Sequence, residues 1–334
     1  MHDAGITIDA PRRAAVIDAL LSKLRAHYVF PEVAERMEEA VRGGVRNGDY
    51  DGITTGSALR ERLTAHLQEV SHDRHLRVFF SAEPRPPRER GEPSAEERAE
   101  FRQHAALRNF GFERVERLAG NVGYLDLREF FPPEVGGPTA VAAMNLLAAA
   151  SALIIDLRKN GGGDPAMVTL LSSYLFAESK HLTSIYWREG DRTVQFWTLP
   201  YVPGPRLATT PVYVLTSSDT FSGAEDFTYN LQQLKRATIV GEVTGGGAHP
   251  SGGFAIDEHF GVGIPTGRSI SPVSGTNWEG AGVTPDIAVA REEALKVAHS
   301  AALKGIVERC ANQQSRLIRG LCEEAQQALA ALEA

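Results

Sequence analysis

Residues 211–235 read PVYVLTSSDTFSGAEDFTYNLQQLK, and two structural patterns meet inside that stretch. The first part is a short apolar run carrying β-branched and aromatic side chains, closed by a Ser-Ser-Asp cluster. This is the signature of a buried strand entering a turn. From 223 to 235 the spacing becomes helical. Outward from this unit, NVGYLDL (121–127) and SALIIDL (151–157) repeat the strand signature, and helical stretches at 138–150 and 165–176 alternate with them. Strands separated by helices imply crossover connections on a largely parallel sheet, so the pattern predicts an α/β sandwich.

Upstream, apolar residues recur at helical spacing through 11–46 (Val16, Ile17, Leu20, Leu21 and Leu24, then Val33, Met37 and Val41), with a break at Pro31. That is a helical hairpin. A third helix fits 57–70, with Ser57 as its cap and Leu59, Leu63 and Leu67 on one face. The stretch PRPPRERGEPSAEERAEFR (84–102) mixes both charges around prolines and reads as an exposed connector entering a short helix. Residues 244–282 are rich in Gly, Pro and Ser and read as strands and loops at a site, whereas the last forty residues are helical and rich in Ala. The expected organisation is an N-terminal helical domain (1–70), a first core strand and connector (71–108), an α/β core (109–290) and C-terminal helices (291–334).

The chain has 334 residues, 43% of them hydrophobic and 23% charged, as in ordinary globular proteins. No apolar run approaches the roughly 18–20 residues that span a bilayer, so no membrane association is expected. A net charge of −7 argues against a nucleic-acid surface. The opening MHDAGITIDAPRR lacks the basic-then-apolar order of a secretory signal, which predicts a cytoplasmic protein. Cys310 and Cys322 make neither a disulfide framework nor a metal site by themselves and are expected to pack along the tail helix. No cofactor or metal is implied.

Four segments carry candidate chemistry. Ser222 stands where the chain leaves a buried strand and enters a helix, whose first backbone N–H groups point outward with partial positive charge. A developing oxyanion beside Ser222 would meet donors such as the Gly223 amide. Ser222 or Asp219 as a plain helix cap, with Glu225 completing a capping box, is the competing reading. In IIDLRKNGGGDP (154–165) three glycines offer bare backbone amides, suited to an oxyanion hole or a tight turn. In SHDRHLRVFF (71–80), His72 or His75 can supply the base that a serine hydroxyl needs. In NWEGAGVTPDI (277–287), Glu279 can orient a polar partner or sit in a solvated turn.

Taken in order, DLRKNGGG (156–163), TSSDTFSGAED (216–226), RATIVGEVTGGG (236–247) and NWEGAGVTPDI resemble the C-terminal-processing and tricorn-type serine peptidase superfamily over residues 70–290. LRAHYVFPEVAERM (24–37) is similar to the helical segment of its interphotoreceptor retinoid-binding-protein-like branch. The resemblance implies a crotonase-like ββα core with Ser222 as nucleophile. The processing branch takes a lysine base from a Thr-x-Gly-Lys-Gly loop, where this chain has Gly247. The tricorn-like branch takes a histidine from an Asp-x-His segment and a glutamate ahead of Gly-x-x-Pro-Asp, which implies His75 as base and Glu279 as its polar partner. That pattern has a serine directly before the histidine, where this chain has Arg74. The implied oxyanion hole is Gly223 with Gly162 or Gly163. The connector at 82–105 is too short for an inserted PDZ module.

The reading is a serine peptidase or amide hydrolase that acts on peptides through an acyl-enzyme. Acyl transfer to, or cyclisation of, a small metabolite uses the same chemistry. A non-catalytic protein holding an apolar, retinoid- or lipid-like ligand is the rival from another class.

Overall fold

The computed structural model describes residues 6–84, 94–310 and 315–333. The expected connector within 84–102 falls mostly on residues 85–93, outside the described residues, while the short helix it enters is present as Ala95–Leu107. The chain divides into two compact units, Met1–Glu92 with Ile185–Val194 and His249–Ile270, and Pro93–Ser184 with Gln195–Ala248 and Ser271–Ala334.

In the first unit, three helices follow from local signals. Asp9 caps Ala10–His27 by accepting from the Arg12 N–H at 2.9 Å, and Pro11 sits in the first turn, where its missing donor costs nothing. Tyr28 leaves the helix in extended backbone, and Pro31 opens Pro31–Arg46. The third helix, Gly56–Ser71, is capped by Thr55 and not by Ser57; the Thr55 hydroxyl accepts from the Ala58 N–H. It stops at His72, whose φ of +55° reverses the chain.

Beside these helices lies an antiparallel sheet of Arg77–Phe80, Phe260–Pro265 and Ser251–Ala255, with Val78 opposite Val262. Leu20, Leu24, Met37, Leu63 and Leu67 bury against Val78, Phe260, Val262 and Ile264 in one core. Each of the larger side chains contributes about 1.5–3 kcal/mol. This packing is why 249–270, expected within the 109–290 core, groups with the helices.

The second unit is built on a six-stranded sheet in the order Ile287–Ala288, Thr238–Gly241, Val212–Thr216, Ala152–Asp156, Val122–Leu127, Phe112–Leu118. All neighbours are parallel except the last pair. Its four inner strands are buried on both faces, as a sheet covered on both sides requires, while the edge strand Phe112–Leu118 carries exposed charges. Leu153 and Ile155 pack with the helices Pro133–Leu146, Pro165–Ser173 and Gly223–Gln233, while Ala152 and Ile154 pack with Ala294–Cys310 and Arg316–Glu333. The helix expected at 138–150 starts earlier because Pro133 takes the first-turn position, which leaves Pro138 inside it.

The tail corrects the expectation for the cysteines. Twelve residues along one helix would separate Cys310 from Cys322 by about 18 Å. The tail is instead two helices packed side by side, with the two Cα atoms 6.0 Å apart and a disulfide joining the sulfurs. Closing so short a loop stabilises the hairpin by up to about 3 kcal/mol. Reductant is therefore expected to lower the melting temperature of the wild type to that of Cys310→Ser and to leave the variant unchanged. A melt insensitive to reductant in both proteins would show that the bond carries no stability.

Candidate active site

Adjacent parallel strands Ala152–Asp156 and Val212–Thr216 run in register, Asp156 opposite Leu215, so both following turns leave the same edge of the sheet. Hydroxyls and one amide side chain lock these turns together. Thr220 Oγ1 donates to the Leu157 carbonyl at 2.8 Å and Ser217 Oγ to the Arg158 carbonyl at 2.6 Å. The Phe221 N–H donates to the Asn160 carbonyl at 3.0 Å, and Asn160 Nδ2 to the Leu127 carbonyl at 2.9 Å. Asp156 in turn holds Arg158 and accepts from the Tyr124 hydroxyl, so the Asp-Leu-Arg part of the motif secures the base of the first turn.

Glycine is required where the turns meet. A Cβ on Gly162 would lie 2.7 Å from the Gly223 nitrogen and 2.8 Å from Ser222 Cβ, and one on Gly223 would lie 2.9 Å from the Gly163 carbonyl oxygen. Gly162 and Gly163 also have φ of +107° and +138°.

Ser222 caps the helix Gly223–Gln233 and is half-buried, with φ +53° and ψ −120°. A capping serine ordinarily has extended backbone, so this residue is strained in a way that capping does not require. Its backbone N–H donates to Glu225 Oε2 at 2.8 Å, one arm of a capping box. The amides of Gly223 and Gly163 have no acceptor among the described residues. Gly162, also expected as an oxyanion donor, is corrected here: its N–H donates to Asn160 Oδ1 at 2.8 Å and closes the turn. Two bare amides, Gly223 and Gly163, remain beside Ser222.

Glu225, read from sequence only as a capping partner, does far more. It is fully buried and accepts from Thr244 Oγ1 at 2.5 Å and from the Gly246 and Gly247 N–H groups at 2.6 and 2.8 Å, besides Ser222. Burial raises its pKa, and these four donors pull the other way. Gly247, where the processing branch has lysine, thus gives its amide to a carboxylate. Glu279 accepts from the Ala248 N–H at 2.5 Å, and Trp278 Nε1 donates to the Gly247 carbonyl at 2.8 Å, so 277–283 backs the same loop.

His75 belongs to the first unit. It lies in a turn shaped by Asp73, whose Oδ1 accepts from the His75 N–H at 3.1 Å, and Gln68 Nε2 ties the turn to the helix through the Leu76 carbonyl at 3.0 Å. Burial lowers the His75 pKa to about 4, opposed by Asp73 and reinforced by His249 and Arg77. The imidazole is neutral at pH 7. His72 and Arg74 are exposed. The sequence reading missed His249, whose Nδ1 is 2.7 Å from Asp73 Oδ2. A histidine set among the glycines of TGGGAHPSGGF (244–254) was the available signal.

Two comparisons with known proteins fit this architecture. The model described as peptidase family S41 matches residues 121–289, and one described as the N-terminal domain of Peptidase_S41 in eukaryotic IRBP matches residues 10–108. The chain belongs to peptidase family S41, a family of serine peptidases. The fold is shared with a putative peptidase from Parabacteroides merdae (TM-score 0.58, 18% identity, 96% of this chain and 97% of that one). It is shared also with a lipoprotein from Streptococcus agalactiae (0.55, 13%, 90% and 99%). The tricorn protease matches at a TM-score of 0.56 and 13% identity over 93% of this chain and 37% of its own. No helix among the described residues is long and apolar enough to cross a membrane.

Asp226, one turn beyond Ser222, supplies a pH test of this helix. It is buried, accepts from Asn230 Nδ2 at 3.2 Å, and burial pushes its pKa up to about 7. A carboxyl whose folded pKa exceeds its unfolded one binds its proton more tightly when folded, so stability falls as pH rises from about 4 through about 7. Ionisation costs the fold of order 4 kcal/mol above that window. Asp226→Asn is expected to raise the melting temperature on the alkaline side and not on the acidic side; equal gains on both sides would exclude titration of Asp226 as the cause.

Proposed function

We propose that the protein is a serine peptidase in which Ser222 is the nucleophile, His75 the general base, and the Gly223 and Gly163 amides the oxyanion hole. The observation that carries the reading is the strained Ser222 at a helix N-terminus, with two unclaimed amides beside it. Ser222 Oγ attacks the scissile carbonyl carbon as its proton passes to His75. The carbonyl oxygen becomes an oxyanion facing the two N–H groups. Return of the proton to the leaving amine breaks the C–N bond and leaves a Ser222 ester, which water hydrolyses by the same steps in reverse order. A neutral imidazole is the protonation state this sequence needs at the start, and burial keeps His75 in it.

Glu279, by holding the Ala248 amide, positions the loop at 244–248 around the site. Peptides are the proposed substrates, on the strength of the family. Acyl transfer differs only in the acceptor that replaces water. For location, the Cys310–Cys322 disulfide favours an oxidising compartment over the cytoplasm expected from the opening residues.

A fluorophosphonate probe tests the assignment. Stoichiometric labelling of the wild type should be lost in Ser222→Ala and in His75→Ala and largely kept in His72→Ala. No labelling of folded wild type, together with tight binding of a lipid-like ligand, would favour the apolar binder. Loss in His72→Ala with retention in His75→Ala would reverse the choice of base.

A further inference from the structure

Asp73 is the only buried carboxylate among the described residues of the first unit, and its partners are not explained by packing alone. It is 1% exposed, and all its acceptor bonds are to specific donors. Oδ1 takes the His75 backbone N–H at 3.1 Å. Oδ2 takes the Tyr28 hydroxyl at 3.2 Å and lies 2.7 Å from His249 Nδ1. A carboxylate oxygen accepts hydrogen bonds, so Nδ1 of His249 is the donor in this pair. His249 is itself 5% exposed, with the Phe30 ring edge-on at 5.3 Å. Removing a donor from a buried charged acceptor costs far more than removing one at the surface. His249 thus fixes the Asp73 carboxylate, and Asp73 fixes the turn that carries His75.

We infer that His249 is a positioning residue for the base: through Asp73 it holds the His75 turn in its working geometry, and its imidazole sets the electrostatic field in which His75 accepts a proton. The inference rests on the reading of Ser222 and His75 given above. Within the first unit, the titratable and charged groups around His75 and His249 are Asp73 and Tyr28 from the turn and the first helix end, Arg77 from the strand that follows, and Arg268, whose guanidinium stands over the Phe30 ring at 5.5 Å. Among them, His249 and Arg77 disfavour the protonated form of His75 and Asp73 favours it. Removing the His249 imidazole while keeping an N–H donor should therefore raise the pH at which His75 loses its proton.

The test is the second-order rate of fluorophosphonate labelling across pH for His249→Asn, which keeps a donor toward Asp73, and His249→Leu, which keeps volume without one. His249→Leu is expected to label at least about tenfold more slowly than wild type at neutral pH, the scale of a misplaced general base. His249→Asn is expected to stay within about threefold at neutral pH, with its acid limb moved to higher pH. A role confined to stability would lower the melting temperature and leave the acid limb of the folded fraction in place. If His249→Leu does not fold, the acid limb of His249→Asn decides alone, and an unmoved limb overturns the inference. Rates and limbs matching wild type in both variants, with Ser222→Ala unlabelled, would refute the role of His249 while leaving the nucleophile intact. Labelling that persists in Ser222→Ala would remove both.

Discussion

The approach of the Gly163 backbone to that of Gly223 sets the terms for the rest of the second unit. A methyl group on Gly223 would fall 2.9 Å from the Gly163 carbonyl oxygen, and one on Gly162, just before Gly163, would fall 2.7 Å from the Gly223 nitrogen. Two strand-turn-helix units can therefore nest edge to edge only if both turns are bare. The sheet brings them together by pairing their strands in register, Ser217 and Thr220 fasten them by hydrogen bonds to the Arg158 and Leu157 carbonyls, and Asn160 ties the first turn to the Leu127 carbonyl of the neighbouring strand. The amides that remain open are those not needed for the fastening.

Buried carboxylates organise each unit in the same manner. Glu225 gathers one hydroxyl and three backbone amides, and Asp73 gathers a phenol, an imidazole and a backbone amide. Burying a charge is costly unless donors replace its water, and both residues have such a shell. Asp226 shows the opposite limit. With an amide from Asn230 and a hydroxyl from Thr183 as its donors, it resolves the conflict by keeping its proton to about pH 7.

Where periodicity carried the message, the sequence was legible. The strands at 121–127, 151–157 and 211–217 and the helices packed on them follow from runs of apolar residues whose length and spacing differ between the two kinds of element. The Ser222 turn was legible too, because a strand ending in a polar cluster before Gly-Ala-Glu leaves few conformations open. What escaped was set by contacts distant in sequence or by the direction of single bonds. Asp73 and His249 are separated by 176 positions, and no local pattern links them. Gly162 and Gly163 look alike in a row of three glycines, and only the Asn160 side chain decides which amide is spent. Cys310 and Cys322 lie in one stretch of helical composition, and their spacing alone does not show that they belong to two helices. Ser57 and Pro138 each stood close enough to the true helix start to be mistaken for it, as Thr55 and Pro133 satisfy the same rules a few residues earlier.

The backbone of Ser222 places the protein in tension with its own stability. Its φ and ψ lie where glycine rests comfortably and any side chain is strained by roughly 1–3 kcal/mol. Selection for a more durable fold would thus favour glycine at the one position where the hydroxyl is proposed to act. A serine kept there against that gain in stability is a cost that the proposed role of its hydroxyl would offset.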